Sequence, residues 1–587
     1  MKSIIYVVIY LILSQFLLPL SQEVVEEITV EGSIQTEDML SKKMIILDSE
    51  EIKKLGITEI SDIFRIVPGV DVNRRGSGQT SFDLTMRGSN FEQILLMVNG
   101  IPVNNVQTGH FNTDLTFSVD DISKIEISQG ANSVFYGPNG FAGIINIILK
   151  EGSGYSAGIM VGEKSLSKFS FSAGNRTKFF RYGFSAEDSS SSGYYEGMEF
   201  DNITLRGYVS LKNKRIFAKS NFGYLKKSFG AKNFYAPFPS FENTESGIFN
   251  FNLNIEGKIR HEISFSHSVH KDHFILDRYN RDLFNSKSSI NHTYFKIHNA
   301  IQLGLIKLSV GGDVNFIGMN SFLMGDHNQR RNGLYLAGGL KKSGWGLDIG
   351  ARISFINEHH GFFTYYIGFF HRFKNQGTVR FNFGKGVRSP SFTEMYYNSP
   401  VNKGDPKLKP EKSFNYEASF IKYFYNFNTS ISVFYRKQDQ MIDWVKSFGK
   451  SVWRVTNIER NDVAGFEFMA EYMADSAKLK AIFERIYVIG HAQSFVSKYG
   501  FRFPDLKLNF SYMQKISENF EFSSRYIYKR IYDSRKKASL LDIGLSWKCK
   551  RVKFSISVDN LLNSVIEEIP GIKISGRWVK MSITFRK

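Results

Sequence analysis

The 587-residue sequence has one cysteine, Cys549, and only 12 prolines. A single thiol excludes internal disulfides, and with them zinc and iron–sulfur sites built on several cysteines. One apolar run, Ile4 to Leu20, approaches the length of a spanning helix, so no helical bundle crosses a membrane. No nucleophile and base stand at a recognisable spacing, so the sequence offers no enzyme signature. The glycines around 137–143 lack the strand–turn–helix setting of a phosphate loop and read as turns.

Aromatic residues are abundant instead: 54 Phe, 28 Tyr and 5 Trp, 15% of the chain. A hydrophobic fraction of 42% supports a core and excludes a disordered chain. The net charge of +19 is unevenly spread. Residues 22–150 hold 10 basic and 18 acidic side chains, a net of −8, whereas residues 151–587 carry a net of +26. Opposite charge suggests that the two parts face one another; the alternative is solvated loops with a lysine bias.

Lys2, the apolar run and Ser21 read as a signal peptide over residues 1–21, with an uncleaved anchor as the alternative. Residues 151–587 then repeat a period of two. Phe249, Phe251, Leu253 and Ile255 alternate with Asn250, Asn252, Asn254 and Glu256, and Val579, Met581, Ile583 and Phe585 alternate with polar residues at the end of the chain. That is the pattern of strands with one apolar and one polar face. Clusters such as EDSSSSGYYEGMEFDN (187–202) are expected as the loops between them. A soluble β-sandwich and an outer-membrane barrel both fit the alternation. The signal peptide, the aromatic excess and the length of the strand series favour a barrel, whose sheet must close because lipid satisfies no backbone donor. At roughly 20 residues per strand and connection, 22 antiparallel strands fit, and 16 or 18 with longer loops are also allowed.

The segment 38–150 reads differently. A helical pattern over 38–65 centres on SEEIKKLGITEISDIFRIVPG (49–69), ended by Pro68-Gly69. FDLTMRG (82–88), ILLMVNGIPV (94–103) and KIEISQG (124–130) read as strands, with Asn99-Gly100 as a hairpin turn. A small α+β domain ahead of a wide barrel is the expected form of a plugged lumen. Its negative charge against a basic lumen would let it dock without a hydrophobic interface.

Several stretches resemble the TonB-dependent outer-membrane receptor family: IVPGVDV (66–72), MRGSNFEQILLMVNGIPVN (86–104), IEISQGANSVFYGPNGFAGIINIILK (125–150), GKGVRSPSFTEMYY (384–397), DPKLKPEKSFNYEASF (405–420), VDNLLNS (558–564) and GRWVKMSITF (576–585). The resemblance implies an all-β transmembrane barrel over 151–587 with an α+β plug domain over 38–150 inside the lumen. It implies a monomer in outer-membrane lipid of a Gram-negative-type cell, with no nucleic-acid partner. It also implies active import of a scarce bulky solute, either cobalamin or a ferric siderophore. The leader, residues 22–37, contains EEITVEG (26–32), similar to the segment that such receptors offer to the periplasmic TonB protein. Glu27, Ile28, Thr29 and Val30 are its expected coupling residues, pairing edge-on with a partner strand. Ligand contacts are expected at the plug apices: Arg74, Arg75, Gly76, Ser77, Asn104, Asn105, His110 and Phe111. No cofactor is expected, with calcium at Asp188, Glu196, Glu199 and Asp201 as an alternative to a solvated loop. His261 and His267 share parity with Ile263 and Phe265, which places them on the lipid-facing side rather than in a metal or haem site. A passive or differently gated channel, a barrel enzyme and a surface adhesin are the rival readings.

Overall fold

The computed structural model describes residues 41–587, except 77, 79, 236, 358, 375–376, 490–494 and 575; the side chains of His359 and His360 are also outside the description. The signal-peptide and leader expectations, including residues 27–30, lie outside it.

Twenty-two antiparallel strands close into one barrel, and Trp578–Arg586 pairs with Gly154–Gly162 to complete the ring, with Ile583 opposite Ile159. The wall strands run from eight residues (Val552–Asp559) to 21 (Phe427–Ser447). About 9–11 residues cross a bilayer, so the longer strands carry the wall beyond the membrane. Connections at one end span two to four residues, while the other end carries longer segments such as 389–410 and 560–577. Short turns mark the periplasmic end and long loops the outer face.

The alternation predicted from sequence sets the wall's two faces. Phe249 is 42% exposed on the outside and Asn250 is 2% exposed on the inside. His261 and His267 lie on the outer face with Phe265, as their parity requires. Aromatic rings gather at the short-turn end: Phe520, Trp547 and Phe554 stack at 6.1 and 5.4 Å, and Phe427 packs between Phe424 and Tyr472. This is an interfacial girdle, where amphipathic rings suit the boundary between lipid and water. Among the described residues no helix is long and apolar enough to cross a membrane.

The plug is a five-stranded sheet plus a separate hairpin. In chain order its strands are β1 (Met44–Asp48), β2 (Val70–Arg74), β3 (Phe82–Met86), β4 (Ile94–Val98), β5 (Ile101–Pro102), β6 (Ile122–Gln129) and β7 (Gly143–Leu149). The sheet order is β1-β6-β7-β4-β5, which leaves β1 on one edge, and β2 pairs with β3. β4 is buried along its whole length and runs parallel to β7. Asn99 and Gly100 turn β4 into β5 with φ of 49° and 82°, a conformation that Asn and Gly adopt at low cost.

Three expectations need correction. The helical pattern over 38–65 resolves into β1 and two short helices, Ser49–Lys54 and Ile60–Arg65. The Asp48 side chain caps the first by accepting from Glu51 N at 2.7 Å, and Gly56 ends it at φ 66°. The segment 187–202 is half wall: strands Phe180–Ser191 and Phe200–Lys212 extend into it, Ser190 pairs with Asp201, and only 192–199 is the expected loop. Serine-rich sequence marks a loop only when backbone pairing is absent, and here a neighbouring strand supplies it.

The third concerns docking. Charge complementarity is present throughout. Glu51 meets Lys478 (2.8 Å) and Lys480 (3.2 Å), Asp71 meets Lys529 (2.8 Å), Glu59 meets Lys580 (3.3 Å) and Asp121 meets Arg206 (3.2 Å). The plug's Arg87 returns the pattern onto Glu417 (3.0 Å) and Glu467 (2.7 Å) of the wall. Yet the contact is not purely polar. Val134, Phe135, Tyr136 and Ile144 pack with Tyr335, Ala337 and Tyr366 of the wall. A lumen wide enough for a domain leaves room for apolar side chains wherever no charge needs matching.

Removing residues 22–150 should leave a basic, water-filled lumen. Planar-bilayer recordings should then show a large steady conductance where the intact protein conducts little; equal conductance of the two proteins would contradict the plugged-lumen architecture.

Candidate functional site

The plug apices lie under the outer loops, and three loop segments close over them. In the first, 231–240, Tyr235 faces Arg75, whose guanidinium lies 5.3 Å from the ring centre. The second is 389–410, where the amides of Phe392 and Thr393 donate to the carbonyls of Val106 and Gln107 at 3.1 and 2.9 Å. The third carries Tyr499, edge-on to both Phe91 and His110 at 5.2 Å. A mixed apolar core of Val106, Ile290, Met319, Phe392, Met395, Ile442 and Trp444 holds the second loop down.

Most of the expected ligand residues are engaged within the protein. Arg75 is 1% exposed and pairs with Asp83 at 2.7 Å; the other oxygen of Asp83 lies 2.7 Å from His110 Nδ1. Arg74 and Arg65 both reach Glu568, at 3.6 and 3.2 Å, which sits on a hairpin (Ile566–Ile574) dipping inward from the outer face. Asn104 braces the edge of β4 by accepting from Leu96 N and donating to Ile94 O. Asn105 accepts from Gln107 N. Gly76 has no room for a Cβ, which would fall 2.7 Å from Thr80 Oγ1. Phe111 packs on His270 of the wall at 4.6 Å. Ser77 lies outside the described residues. The structure therefore brings Arg75 and His110 together through Asp83, and it separates Arg74 and Asn104 from them. An anionic ligand would meet neither arginine without movement of the covering loops.

The four residues of the calcium alternative have cationic partners or exposed settings. Glu199 pairs with Arg278 and Glu196 with Lys232 (3.5 Å), while Asp188 and Asp201 are exposed positions of adjacent wall strands. Among the described residues no group of three or more His, Cys, Asp and Glu could hold a metal ion.

Two arrangements escape sequence reading. Arg388 is 1% exposed and forms a fork onto Glu394 (2.8 Å) and Glu411 (2.9 Å), tying both ends of the 389–410 loop together. Both carboxylates lie in the quoted motifs, but their pairing is a property of the loop's path. Asp443 accepts from the amides of Trp444 (2.8 Å), Tyr499 (3.2 Å) and Gly500 (3.2 Å), and from Ser497 Oγ. It thereby fixes the segment that carries Lys498 and Tyr499. Lys498 Nζ lies 5.8, 5.6 and 5.3 Å from the rings of Trp444, Trp453 and Tyr499, and Lys446 Nζ lies 4.6 Å from Trp453. No periodicity announces either feature.

A lumen-filling plug beneath a cap of ordered outer loops defines a gated outer-membrane transport receptor. A family model for the TonB-dependent receptor-like β-barrel matches residues 151–561, and one for the TonB-dependent receptor plug domain matches residues 37–144. The chain belongs to the TonB-dependent receptor family, and it serves TonB-dependent import across the outer membrane. It is 22% identical over 454 residues to the vitamin B12 transporter BtuB of Photobacterium profundum, covering 73% of this chain and 72% of that protein. It is 21% identical over 469 residues to the BtuB of Vibrio vulnificus (strain YJ016), covering 74% and 73%. Its fold is similar to that of the siderophore receptor PirA from Acinetobacter baumannii, with a TM-score of 0.80 at 14% identity, covering 95% and 100% of the two chains. The copper transporter OprC is similar at 0.79 and 14%, covering 93% and 98%.

Burial and the Arg75 charge lower the pKa of His110 to about 4. Its folded value lies below the unfolded value of about 6.5, so the unfolded chain binds the extra proton and stability falls as pH drops from about 6.5 toward 4. The loss is roughly 3 kcal/mol when complete. Urea-unfolding midpoints should decline across this window in the native protein and decline less in His110→Gln. Asp443→Ala leaves the buried amides of Trp444 and Gly500 and the half-buried amide of Tyr499 without this acceptor, at about 1–3 kcal/mol. Limited trypsin digestion should cut after Lys498 at least about tenfold faster in that variant.

Proposed function

We propose that this receptor imports cobalamin, with a ferric siderophore as the alternative cargo, and that it works as a monomer. The reading rests on similarity to vitamin B12 transporters over nearly three quarters of the chain, together with the siderophore receptors among its structural neighbours. The outer loops supply a fitting chemistry. Lys446 and Lys498 lie over Trp444, Trp453 and Tyr499, a cationic and aromatic cluster suited to a large ligand with flat apolar faces and negative charge. A closed barrel has no open sheet edge, so a single chain is complete in lipid.

In this reading the cluster captures the solute and the cap residues Tyr235 and Tyr499 report its arrival to the plug. Glu27, Ile28, Thr29 and Val30 then pair as a strand with TonB, which supplies the pull that opens a path. Nothing in this sequence of events requires bond making, so no enzymatic role is assigned. Ile28→Pro removes a backbone donor from the pairing segment. Cells carrying the wild type should accumulate labelled cobalamin, or one member of a ferric-siderophore panel. Cells with Ile28→Pro should bind the same ligand at the surface and accumulate none. Equal accumulation by both would point to passive passage and overturn the coupling.

A further inference from the structure

The positive charge of the wall is concentrated on one sector of its periplasmic rim. Four stretches that follow one another around that rim, 548–553, 585–587, 175–181 and 211–217, hold twelve Lys and Arg and no Asp or Glu. A general lysine bias does not explain this. Strands Phe180–Ser191 and Phe200–Lys212 join the last two stretches to the outer face, and there the segment 187–202 holds five Asp and Glu and no Lys or Arg. The same strands are thus basic at one end and acidic at the other.

Only part of the charge on the rim is matched within the protein. Arg181, Lys553 and Arg586 reach Glu151 (3.8 Å), Glu521 (3.4 Å) and Asp120 (3.5 Å). Lys178, Lys214, Arg215, Lys548, Lys550 and Arg551 are exposed and have no carboxylate partner among the described residues. Rings of the interfacial girdle border the sector. Trp547 and Phe554 flank the first stretch, Phe585 stacks on Tyr155 at 5.7 Å, and Phe179 and Phe180 are exposed in the third. Lys178 Nζ lies 5.3 Å from the Phe179 ring, and Lys587 Nζ lies 5.7 Å from that of Tyr155. A lysine stem that follows such a ring puts its ammonium where acyl chains end and headgroups begin.

We propose that this sector of the rim binds anionic phospholipid, a diester phosphate whose headgroup carries no cation of its own. A zwitterionic headgroup brings an ammonium that the same lysines and arginines repel. Neighbouring strands are about 4.8 Å apart, so successive turns at one end are about 10 Å apart. That is close to the Debye length at 0.1 M salt, about 10 Å, so adjacent turns act on one headgroup together. Rings seated among acyl chains place the neighbouring charges against lipid rather than against a soluble acidic partner. The surface is separate from the plug and the outer loops and does not depend on which cargo the receptor imports.

Cys549, the single thiol, is exposed between Lys548 and Lys550 and serves as the reporter. Full-length protein labelled there with a bimane fluorophore is reconstituted into phosphatidylcholine bilayers. A minor fraction of the lipid is spin-labelled phosphatidylglycerol or, in a parallel sample, spin-labelled phosphatidylcholine. Loss of fluorescence reads how often each lipid occupies the sector. Phosphatidylglycerol should quench at least about threefold more than phosphatidylcholine in about 0.05 M salt. The ratio should fall toward one in about 1 M salt, where the Debye length is about 3 Å. Combining Lys178→Gln, Lys548→Gln, Lys550→Gln and Arg551→Gln should bring the ratio to one at low salt. Lys342→Gln with Lys374→Gln, across the ring from the reporter, should leave it unchanged. The salt response of the native protein stands as the test if the fourfold variant does not fold. Equal quenching by the two lipids at low salt would overturn the proposal and leave the rim to a soluble acidic partner. A preference that salt does not weaken, or that both sets of substitutions abolish alike, would overturn it too. The uptake experiment is unaffected by any of these results.

Discussion

Everything in this molecule depends on the need to fill a polar, basic lumen. A sheet that closes in lipid turns its apolar face outward, so its inward face must be polar. Here that face is rich in lysine and arginine, and a lumen of bare cations would repel itself. The plug's carboxylates answer it at Glu51, Glu59, Asp71, Asp114 and Asp121. Buried ion pairs of this kind add little net stability, because desolvation offsets attraction. Their value lies in orientation: a plug rotated within the barrel would leave several charges buried and unmatched, at several kcal/mol each. The charges therefore fix the plug's position more than they hold it.

The same constraint shapes the outer end. Glu568, on an inward hairpin of the outer face, gathers Arg65, Arg74 and Lys529, while Arg388 gathers Glu394 and Glu411. Loops anchored this way meet the plug directly, through Phe392 and Thr393 on one side and Tyr499 on the other. A solute that displaces Tyr499 or Tyr235 touches residues in contact with His110 and Arg75, so the cap and the plug apex form one connected unit.

Much of this was legible in the sequence, for reasons that differ by element. The wall strands were readable because period two is imposed by lipid on one side and water on the other, as at Phe249 and Asn250. β4 was readable because Ile94–Val98 is apolar on both faces, and the Asn99-Gly100 turn because few other residues adopt its dihedrals. The charge contrast between plug and wall was visible in simple counts. What failed was local: the 49–69 pattern spans a glycine that splits it, and Ser189, Ser190 and Ser191 are in a strand because a neighbour pairs with them. The site was least legible. Arg75, Asp83 and His110, or Asp443 and Gly500, converge through the paths of separate loops, and neither spacing nor composition encodes such a meeting.

The position of β1 has a mechanical consequence. As an edge strand it is hydrogen-bonded to β6 alone, over five register pairs from Met44–Ser128 to Asp48–Lys124. It is also the first plug element among the described residues, so tension entering from the amino-terminal side reaches it before any other of them. An edge strand can be peeled one pair at a time, each step at modest force, while β6 keeps its ladder with β7. The plug thus has a tear line along one margin: traction can detach β1 and leave the rest of the sheet, and the ion pairs that seat it, in place.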